Sequence, residues 1–222
     1  MKTNAILFLF GVAAAAQIVS CIPPMRVRLR YATKLVLMPL LALWFLFATD
    51  PTPRLIFWGL LCGFFGDLLL LAANRKSFLF VLGSTCFAVG HGLYAAYFLC
   101  HLVGAPGVFL IVAAALCYGA YVFFFMRLLR PGMKQPLFAC ATAYMCVISM
   151  MSLSALLFAA TNGSVWHWVI FGASLLFLFS DSCLSYDRFY RKIHFRYIIV
   201  MATYILAQAG IAFGVFMTLG GI

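Results

Sequence analysis

The sequence predicts an all-α, polytopic membrane protein, a bundle of eight transmembrane helices, and three observations carry this. Apolar residues make up 67% of the chain and charged residues only 9%, against about 25% charged in an ordinary soluble domain. The mean hydropathy is +1.12. The apolar residues fall into eight runs of membrane-spanning length, about 20 residues each. Thirteen of the fifteen Lys and Arg residues sit in alternate connections between those runs.

Each span is bounded by Pro, Gly or charge. The first, 5–22, follows Lys2 and begins AILFLFGVAAAA. It also resembles a signal peptide with a small-residue cleavage site at Ala14 to Ala16. However, the run continues to Ile22 before Pro23-Pro24, and Arg26, Arg28 and Arg30 then form a cytoplasmic anchor, so it is read as a span. The second, 33–49, starts beside Lys34 and stops at Asp50-Pro51. The third, 54–73, and the fourth, 78–101, flank Arg75 and Lys76. The fifth, 107–128, and the sixth, 136–160, flank Arg130-Pro131-Gly132 and Lys134. The seventh, 165–185, and the eighth, 196–220, flank Arg188, Arg191, Lys192 and Arg196.

This alternation requires an even number of spans and puts both termini on the non-cytoplasmic side. Residues 1–222 are then one integral membrane domain with no room for a soluble one, and the expected location is a bacterial inner membrane. No low-complexity segment or internal repeat supports an inverted-repeat transporter. A formal charge of +11 invites a nucleic-acid reading. The basic residues are short clusters between apolar runs rather than one polar face, so no nucleic-acid partner is expected. The eight cysteines have no C-x-x-C spacing and read as small buried hydrophobes.

The chain has no Glu and four Asp. Asp50 and Asp187 fall in expected loops and read as solvated charges. Asp67 and Asp181 fall inside spans, where a carboxylate costs about 2.5–3.5 kcal/mol. A function offsets such a cost more readily than packing does. At a rise of about 1.5 Å per residue, Asp67 lies roughly 9 Å and Asp181 roughly 6 Å from the cytoplasmic end of its span. Two carboxylates at one level on different helices can share a cavity, with one protonated and the other ionised, which makes an acid–base pair.

The same counting gathers other polar residues. Asn74 is on the Asp67 face, and Tyr144 and Tyr204 lie roughly 13 Å from the cytoplasmic side. Gln208 is one turn beyond Tyr204. Together these can wall one polar cavity. His91 and Tyr94, three apart on one face, are either part of its lining or a satisfied buried pair. Lys34 is either a snorkelling anchor or a phosphate contact. His91, His101, His167 and His194 are spread too far along the membrane normal to converge on a metal, and no G-x-S-x-G elbow occurs.

The run GFFGDLLLLAANRKSFLFVLGSTCFAVGHGLYAAYF resembles the lysoplasmalogenase (YhhN) family in its GD, its F-x-x-G-x-x-x-F spacing and its H-x-x-Y. TKLVLMPLL around Lys34, AYMCVISMMSLSAL around Tyr144, the pair Ser180-Asp181 and ATYILAQAGIAFG around Tyr204 and Gln208 are similar too, in the family's order. The resemblance implies an eight-helix hydrolase without metal or organic cofactor. It would cleave the vinyl ether bond of lysoplasmalogen to a fatty aldehyde and glycerophosphoethanolamine or glycerophosphocholine. Asp67 and Asp181 would be catalytic, and Lys34, Asn74, His91, Tyr94, Tyr144, Ser180, Tyr204 and Gln208 would surround a lysophospholipid among the membrane lipids. Lys34, Arg75 or Lys76 is expected to hold its phosphate. Asp67, deeper and with only glycine and apolar neighbours in sequence, is the expected acid.

Two other readings compete. An intramembrane aspartyl protease needs a glycine where Phe64 stands and a Tyr where Ser180 stands. A proton-coupled transporter or channel would use intramembrane Asp, His and Tyr as a relay.

Overall fold

A computed structural model describes residues 2–23, 26–72 and 77–220. Among these residues there is no strand, and eight helices are long and apolar enough to cross a membrane. They are α1 (Lys2–Cys21), α2 (Val27–Ala48), α3 (Arg54–Ala72), α4 (Ser77–Cys100), α5 (Val108–Leu129), α6 (Gln135–Asn162), α7 (Val165–Phe189) and α8 (Arg196–Thr218). The chain is an integral, multi-pass membrane protein.

The helix bounds follow local chemistry. Pro136 occupies the first turn of α6, where its missing N–H costs nothing. Gly163 ends α6 at φ 75°, a left-handed position that favours glycine. Ser164 then caps α7 by accepting from the Trp166 N–H. α2 begins at Val27, ahead of the expected span at 33, and α7 runs on to Phe189, beyond 185. Both extensions carry arginines, because a helix does not stop where its apolar stretch does.

In packing, α7 pairs with α8, α3 with α4 and α1 with α2, while α6 bridges α4 and α7, and α8 closes against α1 and α2. Helix α5 is peripheral, with only Ala114, Val122, Met126 and Leu129 buried. Hydrogen bonds tie it on: Tyr118 Oη to Ser152 Oγ at 2.7 Å, and Tyr121 to Ser182. The approach of α3 to α4 depends on glycine. A Cβ at Gly90 would stand 3.1 Å from the Gly59 carbonyl oxygen, and one at Gly83 3.2 Å from that of Gly66. Such small-residue contacts replace the hydrophobic effect, which gives no drive for helix association within lipid.

Two expectations need correction. Cys21 is buried, but Cys100, Cys117, Cys140 and Cys146 are exposed, since an apolar side chain in a membrane can face lipid as readily as protein. Asp187 is not a solvated loop charge. It is 4% exposed within α7. It accepts from the Ile193 N–H at 2.9 Å and pairs with Arg196 Nη1 at 2.7 Å and Lys192 Nζ at 3.4 Å. It thereby shapes the turn into α8.

Candidate active site

Asp67 is held inward by the pattern of its own helix. The buried positions of α3 are Ile56, Gly59, Leu60, Gly63, Gly66 and Asp67, a stripe at three- and four-residue spacing. The glycines in that stripe leave room for the ring of Tyr94, the Gln208 amide and the ring of Phe87. Asp181 ends a corresponding stripe on α7 that includes Ala173, Ser174, Phe177 and Leu178.

Both carboxylates line one cavity of about 280 Å³. Lys34, Tyr144, Ser180 and Tyr204 line it too, and most of the remaining wall is aliphatic or aromatic. Thr85 on α4 and Cys140 and Ala143 on α6 are both wall residues and exposed. The cavity therefore opens sideways between α4 and α6, toward the lipid.

The two carboxyls have different company. Asp67 is 2% exposed; its Oδ1 lies 2.9 Å from Lys34 Nζ, and its Oδ2 accepts from the Tyr204 hydroxyl at 2.8 Å. Asp181 Oδ2 accepts from the Tyr144 hydroxyl and lies 4.0 Å from His91 Nε2. His91 is also 3.4 Å from the Tyr144 oxygen and packs edge-on against Phe177.

The remaining expected site residues are placed differently. His91, Tyr94 and Gln208 stand behind the wall rather than in it. Tyr94 donates to Gln208 Oε1 at 2.8 Å, which makes a buried pair behind Gly59 and Gly63. Ser180 Oγ donates to the Val200 carbonyl at 3.0 Å, so its hydroxyl ties α7 to α8. Asn74, Arg75 and Lys76 lie outside the described residues. Lys34 does not snorkel to the bundle end: it turns inward and pairs with Asp67. The premise that Asp67 has only apolar neighbours fails for the same reason: its ion pair comes from α2, a helix that spacing along α3 cannot reveal.

The arrangement combines two carboxyl groups, one with a cation and one without, around an apolar chamber open to lipid. Against known sequences, the YhhN family profile matches residues 29–215. The chain belongs to the YhhN family. Lysoplasmalogenase TMEM86A of Bos taurus is 29% identical over 187 residues, covering 79% of this chain and 74% of that protein. Lysoplasmalogenase TMEM86A of Homo sapiens is 27% identical over 193 residues, covering 82% and 76%. No solved structure matches the chain.

Sequence reasoning missed the arginines around Tyr197. Arg30 and Arg196 both stack on that ring, at 4.1 and 4.2 Å from its centroid. The signal available in sequence was only a basic cluster beside an aromatic residue.

Proposed function

We propose that this protein hydrolyses the vinyl ether bond of a lysoplasmalogen, releasing a fatty aldehyde and a glycerophospho-base. The observation that carries this is the sharing of one lipid-facing cavity by Asp67 and Asp181 with unlike partners. The names of the two mammalian relatives support the substrate class.

An enol ether reacts through proton transfer to its β-carbon, which leaves an oxocarbenium ion for water to capture. Lys34 gives Asp67 a counter-ion, so Asp67 is the carboxylate, and Asp181, held by Tyr144, is the acid. Asp181 delivers its proton to the β-carbon. The cation that forms is stabilised by the Asp67 charge, as in glycoside cleavage. Water adds to the α-carbon and its proton passes to Asp67. The hemiacetal then collapses: its hydroxyl proton returns to Asp181, Asp67 protonates the departing glyceryl oxygen, and both groups are restored. These roles are the reverse of those expected from neighbours in sequence.

The test is aldehyde release by purified protein in detergent from an alkenyl lysophospholipid, with the saturated alkyl analogue as control. Release from the alkenyl lipid alone is expected. No release from either, together with Asp67-dependent proton flux in liposomes, would favour the transporter reading.

A further inference from the structure

Helix α6 turns one face to the aspartate cavity and another to α5, and along this second face the two helices leave a groove of about 630 Å³. No residue lines both spaces. Val122, Phe123 and Met126 stand on the α5 wall of the groove, and Phe138, Met150 and Leu153 on the α6 wall. Phe123 and Met150 are also exposed, so the groove is open to the surrounding lipid. From Ala115 to Arg127 it follows α5 for about 18 Å. That length accepts one acyl chain over the depth of a leaflet, about 15 Å of hydrocarbon.

At the basic end the groove stops being apolar. Arg127, in the last turn of α5, and Arg130, in the short turn Arg130–Gly132 that leads to α6, both line it. Among the described residues the Arg127 side chain has no hydrogen bond or ion pair, and that of Arg130 has only the ring of Phe138, whose centroid is 5.9 Å from its guanidinium carbon. The chain has no anion to spare for them, since it holds only four acidic side chains. Asp67 is paired with Lys34 and Asp187 with Arg196 and Lys192, while Asp181 faces the other cavity beside Tyr144. Asp50 lies at the far end of the bundle, between α2 and α3. An exposed arginine needs no protein partner, but these two stand together over a groove of chain length. A basic pocket between spans at the membrane surface selects a negatively charged head group.

We infer that the groove between α5 and α6 binds an intact anionic phospholipid of the bilayer, its phosphate held by Arg127 and Arg130 and one chain laid against Val122, Met126 and Leu153. Planar guanidinium groups suit phosphate oxygens, which they meet in charge-assisted hydrogen bonds. A lipid in this place also fastens α5, few of whose own residues are buried, to the rest of the bundle. The site is separate from the aspartates and stands whether or not they hydrolyse a lipid.

The experiment is native mass spectrometry of the full chain released from a neutral detergent, titrated with dioleoylphosphatidylglycerol or dioleoylphosphatidylcholine. The two lipids carry the same chains and one phosphate each, and differ in net charge. Phosphatidylglycerol is expected to be retained about tenfold more tightly. R127Q and R130Q should each lower that preference, and together abolish it, whereas R28Q, at an exposed position of α2 on the same end, should leave it unchanged. Gly119→Trp tests the chain-binding part. Gly119 lines the groove, and an added Cβ there meets nothing within 4 Å, so the indole occupies the space of the lipid chain. Retention of both lipids should then fall about tenfold. Equal retention of the two lipids by the parent, a preference indifferent to R127Q and R130Q, or retention indifferent to G119W overturns the inference. The same spectra report a second copy of the chain: a lipid-free parental dimer that G119W breaks would make the groove an interface between two chains, and the lipid assignment falls. sn-Glycerol 3-phosphate should not displace phosphatidylglycerol, because it brings no chain; displacement at comparable concentration would make the arginines a site for soluble anions and overturn the inference as well.

Discussion

Lys34 Nζ on α2 lies 2.9 Å from Asp67 Oδ1 on α3, with the two side chains 18% and 3% exposed. This pair brings charge from one helix to another inside an apolar layer, and it gives one carboxyl of the site a counter-ion that the other lacks.

Removing only the lysine should therefore be costly. Lys34→Met leaves Asp67 buried without its cation, a change that costs about 3–5 kcal/mol for pairs of this kind. Adding Asp67→Asn removes the stranded charge, so the double variant should regain most of the lost thermal stability and none of the activity. Unfolding in detergent and aldehyde release measure the two effects. A single variant as stable as the parent would mean the pair carries no weight in the fold.

The same pair shows what the sequence could and could not convey. Eight helices were legible because each apolar run is long enough to span and is closed by Pro, Gly or charge. Counting residues from the span ends also brought Asp67, Asp181, Tyr144 and Tyr204 to one cavity. The pairing of Lys34 with Asp67 was not legible because the apolar run starts at 33 while the helix starts at Val27, which places the lysine two turns inside α2 rather than at its mouth. Asp187 was misread likewise, since α7 continues past its apolar stretch. Tyr94 and His91 share a helix face, yet one bonds to Gln208 and the other approaches Tyr144, and which neighbour each meets is set by packing between helices.

Gly59 should tolerate no side chain. A methyl group there would overlap the ring of Tyr94, which is 1% exposed and bonded to Gln208, so the ring has nowhere to go. Gly59→Ala is expected to lower stability by about 1–3 kcal/mol, the usual range for overpacking. Gly92→Ala, on α4 with open space beside it, should be silent. Thermal unfolding of the two variants side by side checks this, and equal midpoints would refute the close approach of α3 to Tyr94.

The expected orientation follows from the thirteen basic residues that the sequence places in alternate connections between the spans. Reporter fusions at either terminus should both read non-cytoplasmic, with the turn at Lys192 cytoplasmic. A cytoplasmic C-terminus would refute the even-span, positive-inside reading and invert the molecule.

Asp67 and Asp181 should behave as one catalytic unit, because they face the same cavity from α3 and α7 and their proposed proton transfers belong to one cycle. Asp67→Asn and Asp181→Asn should each remove most of the vinyl ether hydrolysis while the protein still inserts, since Asn keeps the volume and can still accept from Tyr204 or Tyr144, and the Lys34 that Asp67→Asn leaves unpaired is 18% exposed rather than fully buried. The losses should not multiply: when either partner is missing the cycle cannot close, so the double variant should be scarcely slower than the worse single one. The parent's pH–rate profile should be bell-shaped, needing one group protonated and the other ionised, and each Asn variant should lose one limb from its residual rate. Tyr144→Phe should slow the reaction less than Asp181→Asn, because it removes a hydrogen bond that holds the acid and leaves the acid in place. Rates for the single, double and Tyr144 variants on one alkenyl lysophospholipid decide the matter. If either Asn variant keeps near-parental activity, or the two losses multiply, the aspartates do not share a proton cycle and the hydrolytic mechanism fails.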